Sequence, residues 1–260
     1  MELGLKGKLA LVTGSSRGIG RGVAIALAAE GCDVMLTGRD AKALNDVAAV
    51  IRQDGRRAGV AVIDLRAKEA PGQLIEQVKR EFGGLDILVN NAGATKRGDF
   101  FELTEADWED GYALKFFAHV RLARAAWPLL KERHGSLIAI GGTGGRKPTE
   151  EFTIGSSVNA AVAAFSKCLA DRSKRDGVQV NCIHPSMVET DRLWRRIKAE
   201  MDRTGWPEQK AREEMCKSFG ITRFGKVGDV ADMIAFLVSS RGSWMHGATI
   251  DLDGGEIPTL

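Results

Sequence analysis

The chain has few of the residues and patterns that mark several classes of protein. Its 260 residues include only four cysteines, Cys32, Cys168, Cys182 and Cys216, and no two of them form a CxxC pair. Such wide spacing argues against a zinc site and against a disulfide framework, and it fits a reducing compartment. We therefore expect no metal centre.

Long apolar runs are also missing. The first residues, MELGLKGKLALVTG, contain no apolar core of signal-peptide length, and no later run is long enough to span a bilayer. The 37 basic and 34 acidic residues leave a net charge of only +3, so the composition gives no reason to expect a nucleic acid or a membrane as partner. These absences predict an ordinary globular protein of the cytoplasm.

What the sequence does contain is a regular alternation of short β-rich runs with longer amphipathic segments. Most of the β-rich runs are continuously apolar, as parallel strands buried on both faces are. The predicted strands are Leu9–Thr13, Asp33–Thr37, Gly59–Ile63, Leu85–Val89, Ser136–Ile140, Val178–Ile183 and Thr249–Leu252. The predicted helices between them are Ile19–Glu30, Ala41–Asp54, Ala67–Phe82, Glu105–Arg133 and Ser157–Asp176.

This alternation predicts an α/β fold with one doubly wound parallel sheet of about seven strands and helices on both faces. The sequence has no repeat, low-complexity segment or linker, so residues 1–260 are predicted to form a single domain. Only the stretch around 190–224 interrupts the alternation. It is predicted to be a helical insertion that covers the substrate.

The first predicted strand runs directly into a glycine-rich turn, TGSSRGIG, at residues 13–20, where a helix begins. Glycine is required where the backbone turns tightly, where it approaches a diphosphate, and where helix packs against strand. The first turn of the helix then offers free N–H groups to the phosphates. The strand before the turn and the helix after it supply the context that a lone glycine triplet lacks. The turn therefore predicts a dinucleotide site of the Rossmann type.

The end of the second predicted strand bears on the choice between NAD(H) and NADP(H). A site for NAD(H) usually has a carboxylate there, which accepts a hydrogen bond from the ribose 2′-hydroxyl, but this chain has Gly38. Arg39 can pair with a 2′-phosphate, and Arg17 is a second cation within reach. The alternative is that both arginines are simply solvated. We expect NADP(H) to be favoured over NAD(H).

Four motifs in order make the sequence resemble the short-chain dehydrogenase/reductase family over nearly the whole chain. They are the TGSSRGIG turn, the run LVNNAG at 88–93, the segment Asn181–Pro185, and the ending that contains Gly247 and Asp253-Gly254-Gly255. The resemblance implies an NAD(P)(H)-dependent oxidoreductase that acts on a small molecule. It also implies a homotetramer or a homodimer.

The same resemblance implies which residues hold the cofactor. Those at the phosphates and the adenosine ribose would be Gly14, Ser16, Arg17, Gly18, Ile19, Gly20 and Arg39. Asp64 and Leu65 would border the adenine, and Asn91, Ala92 and Gly93 would line the ribose. Ile183 and Thr190 would lie near the nicotinamide. The alternatives are that Asn91 only satisfies backbone groups at a strand end and that Ile183 belongs to the core.

The chemical residues depart from the family's pattern. Members usually carry a Tyr-x-x-x-Lys pair on the helix after strand five, a serine just after that strand, and an asparagine on the preceding helix. The matching positions here are Gly155, Asn159, Gly142 and Lys115, and the only tyrosine in the chain is Tyr112. The two glycines predict a roomier pocket that lacks the usual proton donor. Because general acid catalysis contributes about 10²–10⁴-fold in rate, reduction of simple ketones should be poor.

The lysine and the asparagine of the usual set look exchanged. Lys115 takes the asparagine position and Asn159 the lysine position, on two helices that face each other in this family's fold. Lys115 would then keep a cation near the same spot, and Asn159 would hydrogen-bond the ribose. The alternative is that Lys115 turns outward and extends along the surface.

Two functions follow from these readings. One is an NADP(H)-dependent oxidoreductase with an atypical active site, which transfers a hydride to or from a small molecule. The other is a catalytically inactive NADP(H)-binding relative that acts as a sensor or as a partner subunit.

Other ionisable residues give weaker signals. We expect His119 on a helix surface, His184 in a structural role, and His246 without a partner. The basic residues of the inserted stretch are Arg192, Arg195, Arg196 and Lys198. They form either a lid that meets an anionic substrate or the polar face of an ordinary amphipathic helix.

Overall fold

The computed structural model describes residues 2–258, so residues 1, 259 and 260 of the predicted domain lie outside it. In the described part of the chain, seven parallel strands form one sheet in the order β3-β2-β1-β4-β5-β6-β7. The strands are β1 (Leu9–Thr13), β2 (Asp33–Gly38), β3 (Ala58–Val62), β4 (Ile87–Asn90), β5 (Ser136–Ile140), β6 (Gln179–Pro185) and β7 (Thr249–Leu252). The predicted α/β fold class is confirmed.

Helices connect the strands on both faces of the sheet. They are α1 (Gly18–Ala29), α2 (Ala41–Gln53), α3 (Ala70–Phe82), α4 (Glu105–Tyr112), α5 (Ala118–Glu132), α6 (Thr153–Ser173), α7 (Asp191–Thr204), α8 (Glu208–Phe219) and α9 (Val227–Leu237). None of the described helices has the length and apolar character needed to cross a membrane.

Two apolar layers hold the sheet between them. Successive side chains of a strand point to opposite faces, so in β1 Ala10 and Val12 enter one layer while Leu11 enters the other. The first layer is covered by α1, α2 and α9, and the second by α3, α5 and α6. A third, smaller apolar cluster lies within the inserted stretch and comprises Leu193, Ile197, Ala211, Met215, Ile221 and Phe224.

Three predicted helices differ from those observed by more than one residue. The helix predicted from Ala67 begins at Ala70. The helix predicted from Ser157 begins at Thr153. Ile154, four residues before the buried Val158 and on the same helical face, is itself fully buried and extends the apolar face of the helix. The helix predicted over Glu105–Arg133 is interrupted by a π-helical turn at Ala113–Phe117, which separates α4 from α5. Such turns are rare and often lie at functional sites, and this one carries Lys115.

The order of the strands fixes where a ligand can bind. Chain order reverses between β1 and β4, and crevices in doubly wound sheets open at the carboxyl ends of the strands at that point. The glycine-rich turn follows β1 and the NNAG run follows β4. The two motifs therefore meet at the same crevice.

Candidate active site

The glycine-rich turn is closed by contacts that only glycine permits. Gly14 and Gly18 have φ of 64° and 57°, in the left-handed region that disfavours side chains. A Cβ atom at Gly20 would lie far inside van der Waals contact of the Gly14 carbonyl oxygen and the Asn91 amide. Arg17 precedes α1 in an extended conformation, and no side chain caps the helix. The first N–H groups of α1 are therefore directed at the crevice without a side-chain partner.

The NNAG run is tied to this turn by hydrogen bonds. The Thr13 hydroxyl oxygen accepts from the backbone N–H groups of Asn91 at 2.9 Å and Ala92 at 2.8 Å. The Asn91 side-chain amide donates to the carbonyl oxygens of Thr13 at 2.8 Å and Gly14 at 3.2 Å. Asn91 thus satisfies strand-end backbone groups, as the structural alternative holds, and its role toward a cofactor stays a prediction.

The predicted adenosine end of the site combines a cation with an ionised carboxylate. The Arg39 side chain is 64% exposed, and its Nη1 lies 3.6 Å from Asp64 Oδ2. Partial burial acts to raise the pKa of Asp64, but hydrogen bonds from Arg66 and the charge of Arg39 outweigh it and keep that pKa below its usual value. Leu65, next to Asp64, is buried. Arg39 is therefore exposed enough to turn toward an added anion.

Toward the predicted nicotinamide end, the two proposed residues differ in exposure. Thr190 lies against the glycine-rich turn, with its methyl group 3.4 Å from the place that a Cβ atom of Gly18 would take. Its hydroxyl donates to the Val188 carbonyl at 3.2 Å. Ile183 is fully buried in the first apolar layer, so its side chain belongs to the core as the alternative holds.

Lys115 points into the protein. Its Cγ and Cδ lie 2.8 and 2.9 Å from the place that a Cβ atom of Gly93 would take, and its Nζ donates to the Gly141 carbonyl oxygen at 3.1 Å. Burial and the charge of Arg192 lower the pKa of Lys115 from 10.5 to about 8. Of the two orientations left open by the sequence, the structure has the inward one.

Asn159, on α6, lies against Gly142, which directly follows the Gly141 carbonyl that accepts from Lys115. Its side chain is 2% exposed, and its Nδ2 lies 3.0 Å from the place that a Cβ atom of Gly142 would take. Its Oδ1 has no hydrogen-bond partner within residues 2–258. Because buried polar atoms are almost always satisfied, an orphaned acceptor at this position suits the hydroxyl of a bound ligand.

The prediction of a roomier pocket is wrong. The ring of Phe152 fills the space beside Gly155, so that a Cβ atom there would lie far inside van der Waals contact of the ring. The guanidinium of Arg97 lies 4.0 Å from the centroid of the same ring. At Gly142 the amide of Asn159 occupies the corresponding space. An added Cβ atom is therefore blocked at Gly155 and tightly fitted at Gly142.

Two predictions about histidines are also wrong. His119 is not on a surface: it is 2% exposed, its Nε2 lies 3.1 Å from the Ala92 carbonyl oxygen, and burial lowers its pKa to about 4. The sequence does contain a signal for its burial, because His119 lies four residues after Lys115 and so on the same face of the predicted helix. His246 does have a partner, because its Nε2 lies 2.7 Å from the Ala170 carbonyl oxygen.

His184 is buried, in keeping with the structural role predicted for it. Its Nδ1 lies 3.4 Å from Asp251, and its ring packs against Gly141. The pKa of His184 is lowered by burial, although the charge of Asp251 opposes that shift.

The sheet order, the switch point after β1 and β4, and the closed glycine-rich turn define a protein of the Rossmann class. The family model described as "Enoyl-(Acyl carrier protein) reductase" matches residues 14–256. The 3-oxoacyl-[acyl-carrier-protein] reductase FabG of Haemophilus influenzae is 32% identical over 252 residues, which cover 96% of this chain and 98% of the relative.

Solved structures agree with this match. An L-sorbose reductase from Gluconobacter frateurii, complexed with NADPH and L-sorbose, has a TM-score of 0.96 and 31% identity over the whole of both chains. A 7α-hydroxysteroid dehydrogenase complexed with NADH has a TM-score of 0.89 and 28% identity, covering 100% of this chain and 98% of that one. The chain belongs to the short-chain dehydrogenase/reductase family. Its relatives are oxidoreductases.

Proposed function

We propose that this chain is an NADP(H)-dependent oxidoreductase in which Lys115, Gly142, Gly155 and Asn159 replace the Asn-Ser-Tyr-Lys set usual in the family. The observation that carries the proposal is the inward Lys115, whose amine lies 3.1 Å from the Gly141 carbonyl oxygen at the carboxyl end of β5. A half-buried cation that points into the protein is costly unless it has a task there.

The residues of the crevice fit a dinucleotide. Gly14, Gly18 and Gly20 let the backbone approach a diphosphate, and the start of α1 offers it N–H groups. The orphaned Asn159 Oδ1 suits a ribose hydroxyl. When bound, the reduced cofactor supplies a hydride to the substrate carbonyl.

Lys115 is proposed as the proton donor to the substrate oxygen. With a pKa of about 8 it is mostly protonated at neutral pH, yet it releases its proton far more readily than an ordinary lysine. A pKa near the operating pH is what general acid catalysis needs. Its bond to Gly141 holds the amine at the strand end, where a carbonyl oxygen can take the place of the backbone acceptor.

We propose that residues 1–260 form one domain with a covering insertion around 190–224. Within that stretch, α7 and α8 pack together through the third apolar cluster. Arg192, at the start of α7, donates to the Gly93 carbonyl at 3.2 Å. This contact supports a substrate lid that meets the crevice at the NNAG run.

We also propose a homotetramer or homodimer. It is supported by a stripe of small exposed residues on α6 at four-residue spacing, Ala160, Ala164 and Cys168.

The function is tested by incubating the protein with 4-deuterated NADPH and a panel of ketones, oxo acids and enones. We expect NADPH oxidation and transfer of deuterium to the product for some members of the panel. Simple neutral ketones should react poorly, because Lys115 has to donate the proton without the serine and tyrosine that position a ketone oxygen in the family. Tight NADPH binding with no deuterium transfer to any compound would contradict the proposal and favour the inactive, sensor-type alternative.

The preference for NADP(H) can be measured by titrating both reduced cofactors. We expect tighter binding of NADPH, and Arg39→Ala should remove most of the difference. A charge-assisted pair of this kind contributes about 1.5–3 kcal/mol, or roughly ten- to a hundredfold in affinity. Arg80→Ala, on the distant α3, is the matched control.

The reverse change should favour NADH. A side chain at Gly38 would meet the Ser16 hydroxyl oxygen at an ordinary 3.6 Å, so Gly38→Asp has room. Its carboxylate would repel a 2′-phosphate and accept from a 2′-hydroxyl. Equal titration curves for NADPH and NADH in the unmutated protein would contradict the preference.

A further inference from the structure

Three arginines lie on two segments of the chain that border the crevice. Arg97 lies on the loop after β4, and Arg192 and Arg196 lie one turn apart on α7. Residues four apart on a helix share a face, so both α7 guanidinium groups are presented together. The Arg97 loop is joined to the turn before α6 by a hydrogen bond from the Gly98 N–H to the Glu151 carbonyl at 3.1 Å.

Each guanidinium group has a partner that leaves its charge uncompensated. Arg97 stacks on the Phe152 ring at 4.0 Å, and Arg192 donates to the Gly93 carbonyl at 3.2 Å. The Arg196 Nη1 lies 2.9 Å from the Met187 sulfur, and its guanidinium carbon lies 5.5 Å from the centroid of the Phe219 ring. None of the three forms a salt bridge with a residue of the described chain. Rings, carbonyls and thioethers orient a guanidinium group without neutralising it.

Arg97 is affected by the charges of both other groups. The pKa of Arg97 is lowered by burial and by the charges of Arg196 and Arg192. The pKa of Arg192 is lowered by burial and by the charges of Arg195 and Arg17. Like charges that lie near one another raise the positive potential felt by an approaching anion.

Nearby carboxylates do not balance this charge. Glu151 and Glu256 are the acidic residues that act on Arg196, and Glu151 also acts on Arg97. Glu256 already accepts from the Ser186 hydroxyl and lies 3.6 Å from the Lys147 amine. Lys115 adds a fourth cation on the other side of Gly93. The crevice therefore keeps an excess of positive charge above the strand ends.

We propose that the substrate of this enzyme carries an anionic group, a carboxylate or a phosphate ester, which Arg97 and Arg196 bind opposite the reacting carbonyl. The inference rests on the proposed oxidoreductase function and names its substrate class. Planar guanidinium groups match the oxygens of both kinds of anion. Arg192, which also interacts with Arg17, would lie between this anion and the cofactor phosphates.

The test measures binding by titration calorimetry, with NADP⁺ present and absent, so that it does not depend on turnover. Two matched pairs of probes are used: 4-oxopentanoate against 2-pentanone, and dihydroxyacetone phosphate against dihydroxyacetone. We expect an anionic member to bind at least about tenfold more tightly than its neutral partner, because charge-assisted hydrogen bonds are that much stronger. The preferred pair distinguishes a carboxylate from a phosphate ester.

Arg97→Gln and Arg196→Gln should each remove most of this difference. Lys198→Gln is the control, because it removes the same charge from an exposed position on the same helix. Equal binding within both pairs, or equal losses in the control, would overturn the inference. Anions that bind but never react with NADPH would leave the inference standing and contradict the oxidoreductase function. Turnover of neutral compounds only would support the oxidoreductase function and contradict the inference of an anionic substrate.

Discussion

Replacing Lys115 with glutamine is expected to lower kcat/KM for carbonyl reduction by about 10²–10⁴-fold, because the change removes the proposed proton donor. The amide is uncharged, one bond shorter than the lysine and able to fill most of its space, so the fold should persist. NADPH affinity should change much less, since Asn159 and the glycine-rich turn are untouched. Initial rates and cofactor titrations on the same preparation separate the two effects.

The dependence of the rate on pH gives a second readout for the same residue. In the direction of reduction, activity should fall as the pH rises through about 8, where Lys115 loses its proton. The Lys115→Gln variant should lose this limb of the profile, whereas Lys198→Gln should keep it. Turnover of ordinary ketones that survives Lys115→Gln with an unchanged pH profile would show that another group donates the proton.

As the pH rises above about 8, the free energy of unfolding should increase while the activity falls. The folded protein holds the Lys115 proton less tightly than the unfolded chain does, since burial lowers its pKa from 10.5 to about 8. The free energy of unfolding should therefore rise as the pH increases between those values, by up to about 3 kcal/mol if the whole shift is realised. Lys115→Met should be more stable than the natural chain at neutral pH and should lack this rise. Lower activity with higher stability is the signature of a functional residue, and a merely structural lysine would not give it.

The sequence predicts the framework well because the framework depends on local pattern. Continuous apolar runs mark strands that are buried on both faces, and the glycines of the first turn are needed wherever a backbone must close that tightly. These features locate the crevice before any coordinates are known. The resemblance to the family, and not the local pattern, is what implies that Lys115 and Asn159 lie on facing helices.

What the sequence does not reveal is how neighbouring side chains fill the altered positions. A helical period assigns Lys115 to a face, but the π-helical turn that directs it toward Gly141 depends on tertiary packing. Phe152 precedes the predicted helix Ser157–Asp176, so the helical period of the sequence does not associate it with Gly155. Arg97 lies in a loop without periodicity. Contacts between such distant segments are set by the whole fold, so a missing side chain in a motif is a poor guide to empty space.

The space beside Gly155 leads to the second large effect. A glycine inside a helix is usually less stable than alanine by about 0.5–1 kcal/mol, so Gly→Ala normally stabilises. Gly155→Ala is expected to do the opposite and to destabilise by about 1–3 kcal/mol, because its methyl group would displace the Phe152 ring from Arg97. Gly72→Ala, in α3 where an added Cβ atom meets nothing within 4 Å, is the matched control and should be neutral or stabilising.

Removing the Phe152 ring should reverse the effect of Gly155→Ala on the free energy of unfolding. In a Phe152→Ala background, Gly155→Ala should become neutral or stabilising, and a double-mutant cycle of urea-unfolding free energies measures the coupling between the two positions. The same logic governs attempts to restore the family's tyrosine: Gly155→Tyr alone should be poorly folded, and Gly155→Tyr with Phe152→Ala should fold. Even then it should show little gain in ketone reduction without Asn159→Lys and Gly142→Ser, because these positions act as a unit and their effects do not add. If Gly155→Ala stabilised the natural chain as much as Gly72→Ala does, the ring would not occupy that space. The tyrosine position would then be free for a substrate.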